Sequence, residues 1–185
     1  MANIKLSMEL LKQVEHSGRT DKLLHRNKGE NGLTFYGIYE VAHPNWKGWD
    51  IVKRYLDFTP DIKQCSKILA NVKDLYVLVC DFYKKEFWDE ARLDEVTSQK
   101  IADEIFIFGV NAGMKVAITK AQLLVGASQD GILGSKTIAL LNKYDEAKFD
   151  ILFDEEEIKH YDKLVKLHSK FEINKKGWHN RAKAV

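Results

Sequence analysis

Proline is the residue that a helix interior tolerates least: it lacks an N–H and its ring clashes with the preceding turn, at a cost of about 3 kcal/mol or more. This chain has only two, Pro44 and Pro60, both in its first third. Glycine gathers in the same region, at Gly18, Gly29, Gly32, Gly37 and Gly48. The punctuation therefore divides the chain into a broken N-terminal part and a long remainder free to be helical.

Apolar residues at three- and four-residue intervals (Ile4, Met8, Leu11, Val14) predict a helix over 3–16. Gly18 then serves as its left-handed stop. Residues 19–40 break into polar pieces, within which the aromatic and β-branched run Leu33 to Tyr39 predicts a short strand or hairpin. Helical patterning resumes over 49–57, and Pro60 suits the first turn of the next helix. Residues 61–88 read as one long helix or two in tandem, and 98–111 and 113–126 as two more, split at Asn111-Ala112-Gly113. Asp130-Gly131 and Gly134 predict turns, Ser135 a cap for a short helix to Leu141, and 146–172 one long helix. The expected fold class is mainly α, with a small irregular or β element near the N-terminus.

A chain of 185 residues with 45% hydrophobic and 30% charged residues is ordinary globular material, not a disordered or collagen-like one. No apolar run approaches the roughly 20 residues that span a bilayer, so stable membrane insertion is not expected. The net charge of +2 makes a weak case for nucleic acid. Charge is nonetheless uneven, with eight Lys and Arg against two acids from Lys159 to Val185. A solvated helix face explains that stretch, and attraction to an anionic polymer is the functional alternative. Cys65 and Cys80 lie in apolar helical patterns and read as buried free thiols. The start, Met1-Ala2-Asn3-Ile4-Lys5-Leu6, lacks the features of a secretory signal, so synthesis in the cytoplasm is expected.

For chemistry, position offers a few leads. Glu15 closes the first helix, where the negative end of the helix dipole raises a carboxyl pKa, the direction a general acid requires. Asp21, Glu30 and Thr34 follow in the polar stretch, with Tyr36 and Tyr39 beyond. A helix-end carboxyl facing polar loop residues suits glycosidic cleavage, where one group protonates the leaving oxygen and a second activates water or stabilises the oxocarbenium ion. The six histidines form no His-Glu-x-x-His pair, His160 and His168 read as surface residues, and there is no phosphate loop or nucleophile elbow. No metal or cofactor is called for. Trp46 and Trp49 are candidates to stack on sugar rings, while Trp88 and Trp178 fit a helical core.

Four segments together resemble the glycoside hydrolase 108 muramidases, phage and prophage endolysins with a lysozyme-like catalytic region joined to a predicted peptidoglycan-binding region. They are Glu15-His16-Ser17-Gly18 with Leu33-Thr34-Phe35-Tyr36-Gly37-Ile38; Asp81 to Asp89, with its Phe87-Trp88; Phe106 to Gly113; and Asp130 to Thr137 with Gly177-Trp178-His179-Asn180-Arg181. The resemblance implies a lysozyme-like helical fold, with a catalytic region over 1–92 and a peptidoglycan-binding region over 93–185 packed with it as one unit. It implies Glu15 as catalytic acid, with Glu30 first and Asp21 second as the other carboxylate. Thr34, Tyr36, Asp21, Asn111 and Trp178 would contact substrate. His16-Ser17-Gly18 stands where the family has Gly-Gly-Tyr, and no Asp-Pro-Gly-Gly precedes Thr34.

The expected activity is hydrolysis of peptidoglycan between N-acetylmuramic acid and N-acetylglucosamine. A lytic transglycosylase needs only one carboxyl group and is the nearest alternative. A non-catalytic wall-binding or secretion-associated protein on the same scaffold is a second, and a nucleic-acid binder using the basic C-terminal stretch a third. The expected partner is the glycan strand, met by a monomer after holin-dependent release to the cell wall.

Overall fold

The computed structural model describes residues 1–16, 18–27 and 31–185. Among these the chain is mainly α, with a small antiparallel sheet near the N-terminus. It divides into two compact units, Glu15–Lys84 and Met1–Val14 with Lys85–Val185. The helix α1 (Ile4–His16) begins in the latter and ends in the former, and Gly18 follows it with φ +73, the left-handed conformation expected of a stop.

In Glu15–Lys84, a 3-10 turn (Thr20–Lys22) leads to three two-residue strands, β1 (Leu24–His25), β2 (Thr34–Phe35) and β3 (Ile38–Tyr39), paired in that order. Phe35 pairs with Ile38, so Tyr36-Gly37 forms a two-residue hairpin turn. Both have positive φ, +49 and +82, the conformation that matches the twist of the flanking strands. Helices α2 (Gly48–Phe58), α3 (Ile62–Leu69) and α4 (Lys73–Tyr83) complete the unit. Its core holds Leu23, Leu24, Phe35, Ile38, Val52 and Leu69.

Several expectations change here. The region 61–88 holds two helices in tandem, α3 and α4, as one of the two expected forms, and a π-helical segment, Lys84–Asp89, that the sequence did not suggest continues the second. Pro60 precedes α3 rather than entering it, because Asp61 takes the cap and accepts from the Gln64 N–H at 2.7 Å. Trp49 is 2% exposed, and its indole N–H donates to the His43 carbonyl at 2.8 Å, so it is core and not a sugar platform. Trp46 is half-buried and packs against Trp49 and Phe35. Cys65 is buried and Cys80 half-buried, both free.

The unit Met1–Val14 with Lys85–Val185 contains α5 (Gln99–Ala112), α6 (Met114–Val125), α7 (Ser135–Leu141), α8 (Glu146–Leu167) and α9 (Glu172–Ala182). Nine consecutive residues of α5, Ile101 to Gly109, are buried, which makes it the central helix of the unit. The Ser98 hydroxyl caps it, and Gly113, at φ +95, separates it from α6 where the sequence predicts. Trp88 lies in this core against Phe106. Ser135 does not cap α7; Gly134 occupies that position. The helix expected over 146–172 stops at Leu167, and a 3-10 turn (Ser169–Phe171) precedes α9. His160 is half-buried against Phe108 and Tyr161 rather than on the surface, and burial lowers its pKa; His168 is exposed.

Candidate active site

An open cavity of about 690 Å³ lies within Glu15–Lys84. Glu15, exposed at the end of α1, lines it, as does Asp21 from the 3-10 turn. The sheet contributes Leu24 and His25 from β1, Thr34 from β2 and Gly37 from the hairpin turn. Its central strand pairs Thr34 with His25 on one side and Tyr39 on the other, which fixes Thr34 between its neighbours. Ile62 and Lys63 of α3 complete the wall with Lys22 and Arg26.

One buried serine ties these pieces together. The Ser66 hydroxyl of α3 donates to the Thr20 carbonyl at 2.6 Å and accepts from the Leu24 N–H at 3.0 Å. It is fully buried and holds the 3-10 turn and β1 against α3. Thr34 differs: it is 6% exposed, and its Oγ1 is buried without a hydrogen-bond partner among the described residues. A polar atom in that condition carries a desolvation cost that a ligand can offset. The Asp21 carboxyl receives the Arg19 guanidinium at 3.4 Å, and this hydrogen bond is the main reason its pKa falls below the ordinary value. Asp21 is therefore an ionised carboxylate at neutral pH.

Of the residues singled out in the sequence, Glu15, Asp21 and Thr34 meet at this cavity. Glu30 lies outside the described residues. Tyr36 is 6% exposed; its carbonyl accepts from the Tyr83 hydroxyl at 2.6 Å, its ring packs on Tyr76, and it is not part of the cavity wall. Asn111 and Trp178 belong to the other unit, where both engage Tyr161: the Asn111 amide donates to its hydroxyl at 2.7 Å, and Trp178 stacks on its ring at 4.9 Å. Lys22, His25, Lys63 and Ser66 carry no sequence signature of their own. They become site residues only because α3 folds against the turn and β1.

A separate group of carboxylates marks the other unit. Glu104, Asp150 and Asp154 each bring an oxygen within 4.8 Å of the others. The Lys100 ammonium already lies 2.9 Å from Asp150 and 3.5 Å from Glu104, supplying the positive charge that such a cluster attracts.

Glu15 thus shares an open cleft with a short antiparallel sheet in a mainly α chain. The chain belongs to the glycosyl hydrolase 108 family, whose defining pattern matches residues 15–113. The solved structure of Brucella abortus SagA is similar in fold, with a TM-score of 0.63 at 19% identity over 96% of this chain and 90% of that one. No curated protein matches the chain.

Proposed function

We propose that this protein is an N-acetylmuramidase that cleaves the glycan strand of peptidoglycan between N-acetylmuramic acid and N-acetylglucosamine. The observation that carries the reading is Glu15, exposed at the end of α1 on the wall of the cavity, in a family of glycoside hydrolases. In this reading Glu15 protonates the bridging oxygen, and the ionised Asp21 on the same wall supports the developing oxocarbenium charge or draws a proton from the attacking water. Glu30 is the alternative for that second role. Thr34 Oγ1 would exchange its unsatisfied state for a bond to water or sugar.

Residues 93–185 would hold the wall polymer, with Asn111 and Trp178 as contacts around Tyr161. No described helix is long and apolar enough to cross a membrane, which fits an enzyme that a holin releases to its substrate. We place it at the cell wall as a monomer.

The test is mass spectrometry of fragments released from purified sacculi by the wild type and by Glu15→Gln. Hydrolysed muropeptides from the wild type and a loss of about a hundred- to ten-thousand-fold in the variant are expected. Products lighter by one water would make the enzyme a lytic transglycosylase. Full activity in Glu15→Gln would remove Glu15 from the mechanism, and no release by the wild type would leave a wall-binding protein.

A further inference from the structure

The cavity wall carries more positive charge than proton transfer to a neutral sugar needs. Lys22 of the 3-10 turn, Arg26 after β1 and Lys63 of α3 all line it, with His25 among them. The acids on the same wall are Glu15 and Asp21, and Asp21 is already engaged by Arg19. Lys22 and Lys63 make no ion pair among the described residues, and both are exposed. The Arg26 guanidinium donates to the Asn31 carbonyl at 3.4 Å and its charge helps lower the pKa of Glu40, so it is the most compensated of the three cations. The His25 ring donates from Nδ1 to the Lys22 carbonyl at 3.0 Å, so the backbone bearing Lys22 is pinned to the sheet. Ser66, one turn along α3 from Lys63, pins α3 to that same turn. These cations are therefore set on anchored backbone rather than on a loose loop.

Cations gathered in a concave wall focus the field and favour an anionic ligand. We infer that Lys22 and Lys63, with Arg26, bind a carboxylate carried on the muramyl side chain of the substrate, so that the protein prefers wall glycan whose carboxyls are free to glycan whose carboxyls are masked. This rests on the glycan-cleaving reading and adds what selects the sugar. On the muramyl residue the acid has two sources, the lactyl carboxyl when no peptide is attached and the stem-peptide carboxyls when one is.

Binding separates this inference from catalysis. Glu15→Gln protein is bound to peptide-bearing sacculi freed of teichoic acid and to strands stripped of peptide by an amidase, each with its carboxyls free and after their conversion to amides. Exposed ion pairs are modest, so a preference of about three- to tenfold for the carboxylate-bearing wall is expected, weakening with salt. Adding Lys22→Gln and Lys63→Gln should erase the preference, and Lys22→Arg with Lys63→Arg should keep it. A preference for free carboxyls on stripped strands assigns the lactyl acid, and a preference on peptide-bearing walls, where the lactyl carboxyl is held in an amide, assigns the stem peptide. Equal binding to free and amidated carboxyls in both polymers, or a Gln double substitution that keeps the preference, would overturn the inference. Failure of the muramidase reading is read elsewhere, in the absence of fragments from the wild type.

Discussion

Thr34 and Ser66 are both buried hydroxyls beside the cavity, and their opposite bonding states give them opposite expected phenotypes. Ser66 satisfies two backbone groups at once, so Ser66→Ala would strand the Thr20 carbonyl and the Leu24 N–H. Leaving buried partners unpaired costs about 1–3 kcal/mol, and equilibrium denaturation should show a loss of that size. Thr34 Oγ1 has no partner among the described residues. Thr34→Val replaces that hydroxyl with a methyl of similar shape and should leave stability unchanged or raise it by up to about 1 kcal/mol. Its KM on wall glycan should rise, because the hydroxyl is then missing where the sugar or water needs it. A drop in stability matching that of Ser66→Ala would make Thr34 a structural residue.

At the scale of elements, the hairpin turn is the most exacting feature of the cavity unit. A Cβ on Gly37 would lie 2.7 Å from the Tyr83 hydroxyl, at a φ of +82 that side chains rarely adopt. Gly37→Ala combines left-handed strain of roughly 1–2 kcal/mol with disruption of the Tyr83 bond to the Tyr36 carbonyl. Thermal unfolding should fall by at least the roughly 2–4 °C that 1 kcal/mol represents in a chain of this size. The hairpin itself was legible in the aromatic, β-branched run ending at Tyr39, and so was the split at Gly113, since both depend on residues adjacent in sequence. The end of α8 was not. Its buried residues Phe149, Phe153, Glu157, Tyr161 and Val165 recur every four positions and then stop, with no glycine or proline to mark the break before Ser169. Likewise Asp61, not Pro60, caps α3 because its carboxylate reaches the Gln64 N–H. Glu15 could be found from its place at a helix end. Lys63 could not, because only the packing of α3 on the turn brings residue 63 to the same wall as residue 22.

For the molecule as a whole, the buried acids set the expected response to pH. Glu104 is fully buried, and burial first, then the close approach of the Asp150 carboxyl and the charge of Glu157, pushes its pKa up to about 10 against the opposing pull of Lys100. Glu157, 2% exposed in the apolar stripe of α8, is raised to about 9 by burial and by Asp154, with Arg181 opposing. Asp154 rises to about 6 through burial and the charge of Asp150, against Lys100 and Lys183. Each folded pKa exceeds its unfolded one, so the folded chain holds protons that the unfolded chain has released. Stability from these groups is complete below about pH 4 and declines as pH rises toward 9 or 10. The paired surface acids act in the other sense: Asp21, Glu40 and Asp162 have lowered values, and their contribution is lost only as pH falls below the ordinary carboxylate range. The two trends place maximum stability in the mildly acidic range, with a steady loss on the alkaline side. Melting followed by circular dichroism at pH 5, 7 and 9 should show Tm falling across the series. Glu104→Gln keeps the shape and the hydrogen-bond donor of the protonated acid but has no proton to lose. It should therefore raise Tm at pH 9 by at least about 2–4 °C relative to wild type, and change it little at pH 5. A wild-type Tm that is level or rising from pH 5 to 9 would mean that Lys100, 2.9 Å from Asp150 and 3.5 Å from Glu104, compensates the buried charge fully. Glu104→Gln would then lower stability at every pH by leaving that ammonium short of a partner.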